Sequence, residues 1–155
     1  GSGVIKMNHA GAELVREASR RTGAIVTGRR TFDVANAWGG RHPMDVPVVV
    51  VTHRVPLEWA REGTIFTFVT DGVERAIETA QKIAGEKNVA IDGPSIAQQA
   101  LKAGLVDEFQ IDLAPVLLGR GIRLFDGPGI KGVQLENTGI TAAPGVTHLL
   151  YRVVK

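Results

Sequence analysis

Asn88-Val89-Ala90-Ile91-Asp92-Gly93-Pro94-Ser95-Ile96-Ala97-Gln98-Gln99-Ala100-Leu101 carries the unit from which the fold is read. Residues 88–91 are a short apolar run of strand type, and Gly93 marks a turn. Pro94 suits the first position of a helix, whose apolar face is Ile96, Ala97, Ala100 and Leu101 at three- and four-residue spacing. Gly104 closes that helix. The same order occurs one unit earlier. Residues 64–69 are β-rich, Thr70-Asp71-Gly72 is a turn, and Val73, Ala76, Ile77, Ala80, Ile83 and Ala84 fall at helical spacing. Val48 to Val51 is a continuous β-branched run, the pattern of a strand buried on both faces.

Further toward the N-terminus, Ala24 to Thr27 reads as a strand before Gly28, and a short helix starts near Thr31. Residues 35–47 carry turn formers and read as loop. Ala10, Leu14, Val15 and Ala18 predict an amphipathic helix over 10–21, stopped by Thr22-Gly23. Toward the C-terminus, Phe109 to Ala114 alternates with the period of a strand, and Leu117 to Gly121 is a glycine-flanked loop. Residues 133–140 and 146–154, joined by Ala143-Pro144-Gly145, form a hairpin. Strands alternating with helices predict an α/β fold: a mostly parallel central sheet, helices on both faces, and a C-terminal antiparallel hairpin.

The chain has 155 residues, 44% of them apolar and 22% charged, which suits one domain; Gly1-Ser2 reads as a cloning scar, so that domain is taken as 3–155. With no cysteine there is no disulfide framework and no thiolate nucleophile, and a reducing cytoplasm is the expected compartment. A net charge of +2 with scattered basic residues and 5% aromatics gives no nucleic-acid footprint, and no apolar run approaches the roughly 20 residues of a membrane span. His9, His42, His53 and His148 lack metal-ligand spacing, and no G-x-S-x-G elbow is present. His148, inside an alternating strand, reads as structural.

Ligands in such sheets gather at the carboxyl ends of the strands, where helix N-termini point outward. Four strand ends carry suitable residues, the weakest of them the turn Thr70-Asp71-Gly72. In Thr27-Gly28-Arg29-Arg30-Thr31, glycine admits close approach and arginine offers a fork for phosphate. Thr52-His53-Arg54 suits a phosphate monoester such as the 2′-phosphate of NADP. In Asp92-Gly93-Pro94-Ser95-Ile96 a glycine turn opens a helix whose first amides can hold a pyrophosphate, with Asp92 as N-cap or ribose contact. Neither a dinucleotide G-x-G-x-x-G nor a Walker loop occurs. Trp38 and Trp59 read first as packing groups, with Trp38, in the long loop after Gly28, a second choice as a pocket wall.

Gly28 to Phe32, Ile91 to Leu101, Ala103-Gly104-Leu105-Val106-Asp107-Glu108, Ala114 to Gly121, Leu124-Phe125 and Val146 to Arg152 together resemble the dihydrofolate-reductase-like superfamily. The closer resemblance is to the reductase domain at the C-terminal end of the bifunctional riboflavin-biosynthesis deaminase/reductase and its stand-alone relatives. That resemblance implies an NADPH-dependent reductase of a small heterocyclic or carbonyl substrate, commonly a homodimer. It places Gly28, Arg29 and Thr31 on the cofactor phosphates, Thr52 and Arg54 at the 2′-phosphate, and Gly93, Pro94, Ser95 and Ile96 on the pyrophosphate. Glu13 is a weak carboxylate candidate for orienting substrate. Two departures stand against the pattern. Asp92 breaks an implied glycine pair, and only a short segment, Gly3 to Met7, precedes the first helix where the family opens with a buried strand and a loop over the nicotinamide. Both motivate the alternative of a non-catalytic nucleotide-binding or oligomerisation module.

Overall fold

The computed structural model describes residues 5–7 by their backbone and residues 19–155 in full. Its strands are β1 (Ile5–Met7), β2 (Thr22–Gly28), β3 (Val48–Val51), β4 (Phe66–Val69), β5 (Asn88–Asp92), β6 (Glu108–Leu113), β7 (Leu135–Ala143) and β8 (Val146–Val153). The helices are α1 (Arg29–Val34), α2 (Val73–Ala84) and α3 (Pro94–Lys102). The strands form one eight-stranded sheet in the order β4-β3-β2-β5-β1-β6-β8-β7. From β4 to β6 all neighbours are parallel; β8 and β7 close the far edge antiparallel.

Among the described residues the expected strands and helices are present. Of the helix expected over 10–21, only residues 19–21 are described; they are helical, and Glu13 lies outside the described residues. The short N-terminal segment lies inside the sheet. Ile5–Met7 forms the strand between β5 and β6, with Met7 level with Ile91 on one side and Phe109 on the other. Without β1 those two strands would each have an open edge in the middle of the sheet.

Period-two alternation sorts the side chains into two cores. On the back face, Ala24, Val26, Val49, Val89 and Ile91 pack against Ala76, Ile77, Ala80 of α2 and Ala97, Ala100, Leu101 of α3. On the front face, Ile25, Val48, Val50 and Ala90 meet Phe32 of α1 and Ala37 and Val46 of the following loop. Both faces of the Val48–Val51 strand are covered, as its unbroken valines require. Phe32 is the hub of the front core, edge-on to Trp38, Trp59, Phe66 and Phe68.

Candidate cofactor and substrate site

β2 and β5 are neighbours in the sheet, yet the helices that follow them leave for opposite faces: α1 covers the front and α3 the back. Diverging helices open a crevice at the carboxyl end of this strand pair, the place where open α/β sheets bind ligands. The two helix starts meet across it. A Cβ on Gly93 would lie 2.8 Å from Thr31 Oγ1, and one on Gly28 would lie 3.2 Å from Ile96 Cγ1. Gly93 also has φ +102°, a conformation that disfavours any side chain. Neither helix has a side-chain cap at its N-terminus, so the first amides of α3 remain available to an anion.

The strand end after β3 is tied to this crevice through Arg29. Its Nη1 donates to Thr52 Oγ1 (3.1 Å) and to the Arg54 carbonyl (2.5 Å), while its Nε is paired with Asp33 Oδ1 at 2.8 Å. The Thr52 hydroxyl donates to the Arg54 carbonyl (2.8 Å) and accepts from the Arg54 amide (3.3 Å). Thr52 is thus the buried pin of a tight turn that presents Arg54 outward, and the Arg54 guanidinium makes no hydrogen bond among the described residues. Seven of the nine residues read from sequence, Gly28, Arg29, Thr31, Gly93, Pro94, Ser95 and Ile96, line the two helix starts; Thr52 and Arg54 join them through Arg29. Ile96 is buried against Gly28, and the Ser95 hydroxyl accepts from Gln99 Nε2 at 3.2 Å.

The front side of the crevice has a second character. Thr27 and Asp92 are register partners whose side chains alternate onto the front face with Ile25 and Ala90. The Thr27 hydroxyl is buried without a hydrogen-bond partner among the described residues. His42 reaches the same region. Burial pushes its imidazole below the ordinary value of 6.5, and the charge of Asp92 opposes that shift. His42 Nδ1 accepts from the Met44 amide at 3.1 Å, which leaves the ring proton of the neutral form on Nε2. The loop holding His42 turns through left-handed residues Asn36, Ala37, Trp38 and Gly39, with φ between 48° and 65°, seats Trp38 4.6 Å from the His42 ring, and is clamped by Arg41 paired to both oxygens of Asp45 at 2.9 and 3.0 Å. Left-handed non-glycine residues cost energy and persist where packing over-determines them, as Ala37 and Phe32 do here.

From sequence, His42 has no site role and Thr27 is only the first residue of a strand end. Alternation along β2 and β5 was the available signal for Thr27 and Asp92 sharing a face. Nothing local to His42 signalled that its loop folds back over β5.

The match to the RibD C-terminal domain model runs from residue 5 to 149. The chain belongs to the RibD C-terminal domain family. That family is associated with the reductase step of the riboflavin pathway. A protein assigned to riboflavin biosynthesis in Shewanella sp. PV-4 superposes with a TM-score of 0.76 at 24% identity, over 96% of this chain and 82% of that one. A pyrimidine reductase-like protein from Corynebacterium diphtheriae gives 0.68 at 15%, over 99% and 92%. The Thermotoga maritima diaminohydroxyphosphoribosylaminopyrimidine deaminase/5-amino-6-(5-phosphoribosylamino)uracil reductase gives 0.67 at 10% identity, and this chain spans 57% of its length. Bacillus subtilis (strain 168) YyaP, itself uncharacterised, is 26% identical over 139 residues, 82% of this chain and 72% of YyaP. The structural matches carry the dihydrofolate-reductase-like fold. Among the described residues no helix is long and apolar enough to cross a membrane.

Proposed function

We propose that this chain is an NADPH-dependent reductase acting on a small heterocyclic or carbonyl substrate in the cytoplasm, and that it works as a homodimer. The observation that carries the reading is the crevice between β2 and β5, where a Cβ on Gly93 would strike Thr31 and the first amides of α3 stand uncapped. Glycine at that point keeps backbone exposed where a pyrophosphate needs it. Arg54, presented by the Thr52 turn and backed by Arg29, supplies the cation for a 2′-phosphate, the group that separates NADPH from NADH.

When bound, the cofactor supplies a hydride. The protein's own work is to hold the phosphates, align the two rings and exclude water. Asp92, His42 and Trp38 wall the front of the crevice, where a carboxylate acceptor, an Nε2–H donor and an aromatic edge suit a planar polar ring. The homodimer is supported by the end of β6 and the segment after it. Leu113, Val116, Leu117, Leu118, Ile122 and Leu124 are exposed there, Leu117 and Ile122 at 99% and 100%. A run of this kind on the surface fits a self-complementary interface with a second copy.

Incubating the protein with NADPH and a panel of heterocyclic and carbonyl compounds, and following loss of the dihydronicotinamide absorbance, tests the reading. Oxidation dependent on one class of compound is expected. Cofactor binding without turnover of any member would contradict the catalytic part.

A further inference from the structure

β6 and β8 carry a side-chain cluster that the cofactor crevice does not use. Asp112 and His148 are directly opposed across the antiparallel pair. His148 Nδ1 lies 2.7 Å from Asp112 Oδ1, and Gln110 Nε2 donates to the same oxygen at 2.8 Å. Gln110 Nε2 is also 3.2 Å from His148 Nδ1. Two donors cannot bond each other, so the carboxylate is the common acceptor: Asp112 takes Nδ1–H from the imidazole and N–H from the amide. This fixes the ring and leaves Nε2 as the nitrogen that exchanges a proton. The His148 and Asp112 side chains retain only 8% and 18% exposure.

The placement connects this cluster with the crevice. Phe109 and Ile111 belong to the back core, so Gln110 and Asp112 project from the front face, the side of Asp92 and His42. Met7 is level with Ile91 and Phe109. Asp112 therefore stands two residues higher than Asp92 and two strands away, a separation of about 12 Å by strand rise and spacing. Asp92 and Asp112 thus face the same side of the sheet toward its carboxyl end, on the strands that flank β1, and His148 stands beside Asp112 on the next strand.

We infer that His148, positioned by Asp112, is the proton donor of the reduction. This rests on the reductase reading. Hydride from the dihydronicotinamide forms the new C–H bond, and the electron pair of the substrate C=N or C=O bond moves to its nitrogen or oxygen. That atom takes the proton from His148 Nε2, leaving a neutral imidazole that solvent reprotonates. Gln110 fixes the carboxylate, which fixes the ring, so Asp112 and Gln110 are positioning residues. His42 is less suited, because its Nδ1 is occupied as an acceptor, whereas Asp112 accepts the Nδ1–H of His148 and leaves Nε2 to carry the proton.

The test compares His148→Gln, Asp112→Asn and the double variant with the unaltered protein. NADPH affinity is followed by titration, turnover by the compound panel, and the His148 tautomer by 15N NMR. General-acid loss lowers kcat by about 10²-fold or more in His148→Gln. NADPH affinity and KM stay within about twofold, and the double variant falls no further than His148→Gln alone. The NMR signal of the unaltered protein reports Nδ1–H in the neutral ring, and Asp112→Asn weakens that preference even if turnover is too low to compare. Retained kcat in His148→Gln, or an Nε2–H tautomer in the unaltered protein, overturns the assignment alone. Absence of NADPH binding, or binding with no turnover of any compound, overturns the reductase reading and the donor with it.

Discussion

Two pairs of glycines, all in stretches that resemble the family, occupy opposite environments. Gly28 and Gly93 sit at the crevice, where an added Cβ meets Ile96 at 3.2 Å or Thr31 at 2.8 Å. Gly119 and Gly121 lie in the segment after β6 with nothing within 4 Å. Packing within the chain accounts for the first pair; of the second, Gly119 answers to its own backbone at φ +76° and Gly121 to neither packing nor φ. The neighbours of the second pair are exposed leucine, isoleucine and valine, the face on which we propose the second copy. Glycines in stretches that resemble one family thus stand in two environments: close packing at the β2–β5 crevice, and open surface in the β6–β7 segment.

The largest effect is expected where the glycine is most confined. Gly93→Val combines a backbone at φ +102° with a clash at Thr31, and should cost about 1–3 kcal/mol of stability, along with most of the NADPH affinity. Thermal unfolding and titration measure the two losses. Gly121→Ala, with open space around it, should stay within about 0.5 kcal/mol. Equal losses in the two variants would erase the distinction between the regions.

Arg54→Ala sharpens the crevice side. The Thr52 turn is held by the Arg54 backbone, so truncating the side chain leaves the turn intact and removes only the outward cation. NADPH should bind more weakly by about 1.5–3 kcal/mol, while NADH changes little. Equal weakening of both cofactors in parallel titrations would assign Arg54 another role. On the other side, Leu117→Glu places a charge in the exposed apolar segment and should weaken self-association at least about tenfold without altering the fold. Sedimentation of both proteins over a concentration series decides it, and unchanged association would remove the second copy from that face.

The parallel core was legible in the sequence because its signals are local. Val48 to Val51, the 73–84 periodicity and Pro94 after Gly93 each specify an element within a few residues, and β3, α2 and α3 fall where expected. The two helix starts at the crevice were legible for the same reason, since Gly28-Arg29 and Gly93-Pro94 follow strands directly. The residues on its front were not. His42 reaches Asp92 through a left-handed turn that no motif announces, and His148 meets Asp112 across 36 residues through strand register. Ile5–Met7 has no side-chain pattern of its own length to mark it as central; its place follows from the gap between β5 and β6.

The smallest effect concerns His42. Its pKa is depressed in the fold relative to 6.5, so the unfolded chain binds the proton more readily. Stability is therefore full above the ordinary imidazole value and declines as pH falls through 6.5 and below. His42→Gln should flatten the unfolding midpoint over that window, and an unchanged slope would place the acid sensitivity elsewhere.

The central claim is that the β2–β5 crevice is an NADPH site. Calorimetric titration of the unaltered protein with NADPH, NADP and NADH tests it most directly. Sub-millimolar binding of the two phosphorylated cofactors, one per chain and tighter than NADH, is the predicted result. No binding of NADPH in that range would contradict it.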